Sequence, residues 1–170
     1  MTIYYGPAGW HIGVGQPNGT VKVEPELYAS LLGKPVEPDE NGQPRVPLAH
    51  RREAVWLSIR AERDRRTATG AKAGDHWFHT DADNRIRQLG LYTVAITGGT
   101  VPSVHWKTMA GVLLPLTNQL ALDVFAAVAA LDAQLFTYAE VLHAQSDAST
   151  NPESIDIMAG WPQNYEESIA

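Results

Sequence analysis

Two histidines and two aspartates close together are the side chains in this sequence best suited to chemistry. His76, His79, Asp81 and Asp83 supply the imidazole and carboxylate groups that metal sites and acid–base catalysts use. On a strand, however, His76 and His79 point to opposite faces because their separation is odd. Asp81 suits a helix N-cap, and Asp83 suits the first turn, where the helix dipole favours a carboxylate. We therefore predict no metal and no catalytic residue here.

Other catalytic signatures are missing from the sequence. Gly13-Val14-Gly15 lacks the third glycine and the following helix of a dinucleotide site, and there is no nucleophile elbow or phosphate loop. No carboxylate pair points to a hydrolase of surface glycans. The absence of cysteine excludes disulfides and thiolate catalysis. We predict a protein that is not an enzyme and needs no cofactor.

Charge is distributed unevenly along the chain. The net charge is −6, yet residues 45–72 carry a net +5, and no lysine or arginine follows Lys107. The arginine segment could steer an acidic partner, or lie in solvent or against the acidic C-terminal part of the same chain, which we favour. A pI near 5.4 argues against nucleic acid binding. No stretch approaches the roughly 18 uninterrupted apolar residues of a membrane helix, so we expect no membrane partner.

The elements that must position these residues begin with a small β unit. Strands are predicted for residues 10–14 and 20–23, joined by a hairpin at 15–19, followed by a helix from Pro25 that ends at Gly33. Four prolines between residues 34 and 47 predict a linker without regular structure. The unit 1–33 is too small to be stable alone, so its apolar residues must pack on the main domain or on a partner.

A helix is predicted from Leu48 to about Thr67, with a narrow apolar stripe that must dock on something. The stripe consists of Leu48, Val55 and Ile59, with Ala54 and Ala61 as further candidates. Residues 69–74 are predicted to be a flexible break, and residues 76–79 a short strand. A second helix, capped by Asp81, carries Ile86, Leu89 and Ile96 at helical spacing. A hairpin follows, with strands 104–108 and 112–116, in which Trp106 is expected in the core and Trp77 is a candidate for it.

The clearest element is a long helix that starts after Thr117. Its apolar residues recur at alternating steps of three and four, which is a heptad pattern. The seam contains Ala121, Val124, Val128, Leu131, Leu135, Tyr138 and Leu142. It fits a helix packed in the core of one chain as well as a self-associating coiled coil, so a homo-oligomer is compatible with the sequence. A short helix is then expected from Asn151, ended by Gly160-Trp161-Pro162.

These elements predict an α+β fold, with a small antiparallel β-sheet packed with helices, one long C-terminal helix and a small N-terminal β-hairpin unit. The predicted divisions are an N-terminal unit (1–33), a proline-rich linker (34–47), an arginine-rich connecting helix (48–74), a C-terminal α+β domain (75–163) and a tail (164–170).

Several short motifs follow one another in a fixed order along the chain. The second half contains Phe78-His79-Thr80-Asp81, Asn84-Arg85, Val104-His105-Trp106-Lys107-Thr108, Leu116-Thr117-Asn118-Gln119-Leu120, Asp156-Ile157 and Gly160-Trp161-Pro162. It resembles a domain of uncharacterised function that recurs in phage tail-fibre and tail-fibre-assembly proteins. The first 33 residues, with Tyr4-Tyr5, Gly9-Trp10 and Glu-Leu-Tyr-x-x-Leu-Leu from Glu26, resemble the opening of phage tail-fibre assembly proteins. Residues 34–74 match no family motif.

The resemblance implies an accessory protein that binds the C-terminal tip of a tail fibre and aids its trimerisation. Such a chaperone would act in the host cytoplasm during assembly. The alternative is a permanent virion component, a tip adhesin or a connector retained in the virion tail. The expected partner contacts are aromatic: Tyr4, Tyr5, Trp10 and Tyr28 in the N-terminal unit, and Trp161, which could equally cap the core.

Overall fold

The long helix α4 (Asn118–Ala148) is the element on which the rest of the main domain packs. The helices α2 (Leu48–Thr67) and α3 (Ala82–Ile96) lie along it, and so does the short strand β6 (Ala71–Ala73). The computed structural model describes every residue, 1–170, and gives five helices and several small antiparallel sheets. The predicted α+β fold with a long C-terminal helix is confirmed.

The predicted start of α4 is also confirmed, because the Thr117 hydroxyl accepts a hydrogen bond from the Leu120 N–H at 3.0 Å. The seam of α4 then enters two neighbouring core clusters, and Leu131 packs against both. One cluster contains Val55, Ile59, Leu135, Ala139, Leu142 and Trp161. The other contains Ala71, Phe78, Val124 and Val128. The heptad pattern therefore serves the core of a single chain.

By length and composition α4 is also apolar enough to cross a membrane, with 31 residues and a mean hydropathy of 1.6 over its most apolar window. The core helix of a water-soluble protein meets the same criterion. Because α4 packs against α2, α3 and β6 within the chain, its length and hydropathy are only a weak indication of a membrane.

The arginine-rich helix α2 docks on α4 as its narrow stripe requires. Val55 and Ile59 are buried in the first half of the contact, whereas Glu62 and Arg66 are buried in the second half. Ala54 and Ala61 are exposed, so the prediction that they extend the stripe is wrong. Further along α2, Glu62 and Arg66 form a buried ion pair, and Arg66 also binds Glu167 in the C-terminal segment.

Strand β6 pairs antiparallel with β7 (His76–Phe78). The prediction of a flexible break over 69–74 is thus wrong at its centre: the Gly70 N–H is held by the Thr80 hydroxyl, and the segment leads directly into β6. The second predicted hairpin is confirmed as β8 (His105–Lys107) paired with β9 (Leu113–Pro115). The Trp106 ring is half-buried and packs edge-on against Phe78 at 5.2 Å, which places it beside the core as expected.

Helix α3 turns a different face to the core from the one its sequence suggests. Ile86, Leu89 and Ile96 are exposed by 53–70%. The helix is anchored through polar groups: Arg85 binds Asp132 of α4 at 2.7 and 2.9 Å, and the buried Gln88 donates to the His79 carbonyl at 2.7 Å. These directional bonds fix the rotation of α3 and leave an apolar stripe in solvent.

The N-terminal unit is a three-stranded sheet with the order β2-β1-β3, followed by a short helix. The strands are β1 (Thr2–Gly6), β2 (Gly9–Gly13) and β3 (Val21–Val23), and the helix is α1 (Pro25–Leu31). The tight hairpin joins β1 to β2. The predicted hairpin at 15–19 is wrong, because β2 and β3 do not pair and lie on either side of β1. Helix α1 begins at Pro25 and ends before Gly33, as predicted.

Residues 34–47 are more ordered than a linker. The two-residue strands β4 (Glu37–Pro38) and β5 (Pro44–Arg45) pair around a turn in which the Asp39 carboxylate accepts from the N–H groups of Asn41 and Gln43. Pro44 is buried. The expectation that prolines exclude regular structure fails here, because this turn satisfies backbone donors through a side chain.

The C-terminal segment also departs from expectation. Between α4 and residue 163 only Pro152–Ser154 is helical, as a single 3-10 turn, and Met158 is exposed. The predicted tail at 164–170 contains α5 (Tyr165–Ile169), which starts with a capping box formed by Asn164 and Glu167. It is bound back to the body of the protein, since the Tyr165 N–H donates to the Thr69 carbonyl.

Candidate functional site

The aromatic residues of the N-terminal unit form a cluster of their own. Tyr5 is only 7% exposed, and its ring lies 5.1 Å from that of Trp10, which in turn meets Tyr28 edge-on at 4.8 Å. The cluster is completed by Ile3 and Val23. Tyr5 is thus a core residue, which corrects its prediction as a partner contact. Trp10 and Tyr28 are half-buried and present their outer edges to solvent.

Tyr4 lies on the opposite face of the sheet. Its register partners are His11 on β2 and Lys22 on β3, and side chains directly across an antiparallel ladder share a face. This face carries the polar side chains of Tyr4, His11 and Lys22, of which Lys22 is exposed. Tyr4 is half-buried by its neighbours, so one side of its ring is available to a partner.

The two outer edges of the sheet differ. At β3, the Lys22 carbonyl accepts a hydrogen bond from the Gln43 side chain, so the 34–47 segment covers that edge. At β2 nothing pairs with the outer edge. Because Gly6 and Gly9 flank the two-residue turn, the ladder alternation directs the N–H and C=O groups of Trp10 and Ile12 outward. Ile12 is 47% exposed, so the sheet has one open edge with an apolar side chain on it.

Trp161 belongs to the core of the main domain. It is 8% exposed, its indole N–H donates to the Ile157 carbonyl at 2.9 Å, and its ring meets that of Tyr138 at 5.0 Å. The guanidinium of Arg66 lies 5.8 Å above the ring. Of its two predicted roles, the structure supports capping the core and corrects the partner contact.

The residues of the heptad seam fall in the same core. Val124, Leu135 and Leu142 are no more than 2% exposed, and Val128 is 7% exposed. Leu131 and Tyr138 are half-buried and pack against the same cluster. Since these side chains already contact other elements of the chain, a second copy could not use the seam without opening the fold.

The arginine segment is neutralised mainly within the chain. Arg51 forms a bidentate pair with Glu153, and Arg66 binds both Glu62 at 2.7 Å and Glu167 at 2.8 Å. Hydrogen bonds from Arg65 and then from Arg66 lower the pKa of Glu62, while Arg51 lowers the pKa of Glu153. Of the two interpretations of this segment, the structure supports the intramolecular one.

The side chains of His76, His79, Asp81 and Asp83 do not form a common site. Asp81 caps α3 by accepting from the Asn84 N–H, and hydrogen bonds from the Asn84 side chain and backbone lower the pKa of Asp81. His76 is half-buried on β7, Asp83 is exposed in the first turn of α3, and His79 borders a groove between α3 and β8. Nowhere in the chain do three or more acidic or histidine side chains meet in an arrangement that could hold a metal ion.

A groove of about 680 Å³ lies between α3 and β8. From α3 it is lined by Arg87, Leu91 and Val94, and from the other side by Val104 and the whole of β8. Leu91 also packs in a small core cluster with Val101, Leu116 and Ala121, which fixes the floor of the groove. Its walls are apolar and its rim is cationic.

Sequence reasoning missed this groove because its two sides are about 20 residues apart and α3 is rotated from its expected orientation. The sequence around Arg87 and around Lys107 does not indicate that both residues line the same groove. One signal was available: Gly90 stands in the middle of a helix where alanine would be more stable, and a glycine there often has a packing or functional reason.

The fold and its surfaces define an α+β protein with an open strand edge and a surface groove. Residues 50–159 match the family described as a domain of unknown function (DUF4376). The match covers nearly two thirds of the chain, so the protein belongs to this family. It includes most of the arginine-rich helix, to which the sequence motifs assigned no family. No curated protein and no solved structure matches the chain.

Proposed function

We propose that this protein is an accessory protein of a bacteriophage tail fibre, which binds the C-terminal tip of the fibre and assists its trimerisation. It performs no catalysis in this role, and it acts in the host cytoplasm during assembly. The resemblance of residues 1–33 and 75–163 to phage tail-fibre assembly and tail-fibre proteins supports the proposal.

The observation that carries the proposal is the open edge of β2. An unpaired strand edge is a template for a further strand, and proteins usually cover such an edge unless it has a use. The 34–47 segment covers the β3 edge through Gln43, so the exposure of β2 is selective. Trp10 and Ile12, whose backbone groups point outward, combine main-chain donors with apolar side chains.

A fibre tip would benefit from such a partner. Intertwined β structures contain many non-local strand pairs, form slowly and expose their edges meanwhile. A chaperone that pairs with one of these edges would suppress aggregation until the trimer closes.

The test is coexpression with the C-terminal fragment of a tail fibre, comparing two substitutions at one position of β2. Ile12→Pro removes an outward N–H at the edge, whereas Ile12→Ala removes the side chain and keeps that N–H. The Gly6–Gly9 and Tyr4–His11 pairs are left intact by both. We expect Ile12→Pro to abolish copurification and soluble trimer, and Ile12→Ala to weaken them only partly.

Soluble fibre trimer of equal yield without this protein would overturn the proposal, as would copurification unaffected by Ile12→Pro. If the fibre depends on the protein, mass spectrometry of purified phage particles distinguishes a released chaperone from a permanent virion component. A released chaperone is absent from the particles, and a permanent component is present at fixed stoichiometry.

A further inference from the structure

The groove between α3 and β8 lies in the DUF4376 part of the chain, away from the N-terminal sheet. One wall is the helix α3 and the other is the short strand β8, and the space between them has a volume of about 680 Å³. None of this depends on the tail-fibre role proposed above.

The strand wall has an edge that is unpaired at His105 and Lys107, and just beyond it the Met109 N–H donates to the Trp77 carbonyl of β7. The Leu116 N–H donates to the Val104 carbonyl and the Thr108 N–H donates to the Val112 carbonyl, so residues 104, 106 and 108 bond to the β9 side. In an antiparallel ladder the alternate residues, His105 and Lys107, then direct their N–H and C=O groups away from β9. The groove is lined by all three residues of β8 but by none of β9, which places this free edge along the groove.

The charge of the groove is also one-sided. Arg87 and Lys107 line it together with His79 and His105, and no aspartate or glutamate does so, although the chain as a whole carries −6. Most arginines of this chain are held in ion pairs, but Arg87 and Lys107 form none. Two unpaired cations beside the apolar side chains of Leu91, Val94 and Val104, of which Val94 and Val104 are solvent-exposed, favour a ligand with both carboxylate and apolar groups.

We propose that this groove binds an extended acidic peptide segment of a partner protein, in which carboxylate and apolar side chains alternate. The segment adds to the free edge of β8 through main-chain hydrogen bonds. Its apolar side chains enter the pocket on one face, and its carboxylates meet Arg87 and Lys107 at the rim. Alternation follows because successive side chains of an extended chain point to opposite faces.

The probe is the fluorescein-labelled peptide Glu-Val-Glu-Leu-Glu-Val, measured by fluorescence anisotropy with the full-length protein. We expect the lysine counterpart, Lys-Val-Lys-Leu-Lys-Val, to bind at least tenfold more weakly. Two further peptides carry N-methyl groups, one on the three glutamates and one on the three apolar residues. Since only alternate N–H groups can reach β8, one of these should retain affinity and the other should lose at least tenfold.

Gly90→Trp provides a steric block on the helix wall. The Gly90 backbone is helical, and a Cβ there meets nothing within 4 Å, so the substitution should leave the fold intact while filling the groove. Lys107→Glu tests the charge independently, and Lys72→Glu is its matched control, because Lys72 is an exposed cation on β6 that does not border this groove. We expect at least a tenfold loss of affinity for Gly90→Trp and Lys107→Glu, and less than a twofold change for Lys72→Glu.

Equal affinity of the acidic and basic peptides, equal affinity of the two N-methylated peptides, or a Lys72→Glu effect as large as that of Lys107→Glu would each overturn the proposal. Sedimentation velocity tests whether a second copy of this chain occupies the groove instead. A concentration-dependent dimer that Gly90→Trp abolishes would assign the groove to a second copy of this chain and likewise overturn it.

Discussion

Leu135 shows how far the stability of the main domain depends on single side chains. It is fully buried where α2, α4 and the C-terminal segment meet, while Leu57, on the outer side of α2, is 52% exposed. We expect Leu135→Ala to lower the free energy of unfolding by about 2–5 kcal/mol, and the same change at Leu57 to lower it by less than about 1 kcal/mol. Urea unfolding of the two variants checks this, and equal effects would contradict the assignment of α4 as the core helix.

Glu62 links stability to pH. Its carboxylate accepts from Arg65 and Arg66, and these bonds hold its pKa below the ordinary value of 4.5. A carboxyl whose pKa is lower in the folded state stabilises the fold above its unfolded pKa, and that stabilisation is lost as the pH falls through the folded pKa. Glu62→Gln should therefore cost about 1–3 kcal/mol at pH 7, and the difference from wild type should shrink below about pH 4.5.

Unfolding by urea at pH 7 and at several values below 4.5 measures this difference. Glu53→Gln is a suitable control, because Glu53 lies on the same helix, is exposed and forms only a long contact with Arg60 at 3.6 Å. If the difference in free energy of unfolding between Glu62→Gln and wild type stays constant down to acid pH, Glu62 does not contribute to the pH dependence of stability.

At the scale of elements, both ends of α2 and the start of α4 were predictable to within a residue or so, because helix formers dominate residues 48–67 and Thr117 marks the start of α4. The strands were harder. β6 spans three residues and owes its form to its pairing with β7, and β4 and β5 owe theirs to the turn at Asp39. Such short ladders carry little local signal, since the partner strand determines them.

The orientation of α3 and the groove beside it could not have been predicted for a related reason. The spacing of Ile86, Leu89 and Ile96 predicted an inward face, but the bonds of Arg85 to Asp132 and of Gln88 to the His79 carbonyl determine the rotation. The periodicity of a helix takes account of its apolar residues only. It cannot show which hydrogen-bond partner a buried polar side chain will have, and here those partners determine how the helix is rotated.

The C-terminal element α5 yields a prediction of its own. Its capping box and the contact of Glu167 with Arg66 bind residues 165–170 to the end of α2. Deleting these six residues should lower the free energy of unfolding by about 1–2 kcal/mol, and hence Tm by about 2–8 °C. Glu167→Gln should cost less than about 1 kcal/mol, because Glu167 is 43% exposed and solvent screens its charge. An unchanged Tm after the deletion would show that residues 165–170 do not contribute to the stability of the fold.

At the scale of the whole molecule, the chain consists of two parts of unequal size, each with its own core. The N-terminal sheet has its own small core of Ile3, Tyr5 and Val23, and the segment 34–47 is attached to it by the hydrogen bond from the Tyr5 hydroxyl to the Val36 carbonyl. The main domain has its core along α4 and shares no core cluster with the sheet. A small sheet of this kind is marginal alone, so binding of the proposed fibre partner should add to its stability.

Deletion of residues 1–33 separates the roles of the two parts. We expect the remaining chain to unfold cooperatively with a Tm close to that of the full-length protein, because none of the main core clusters contains a residue from this segment. Binding to the C-terminal fragment of a tail fibre should be lost, since the open edge of β2 is removed. Differential scanning calorimetry and copurification measure the two outcomes. Retained binding would transfer the fibre contact to the DUF4376 domain, and Gly90→Trp in the truncated chain would then decide whether the groove beside α3 provides it.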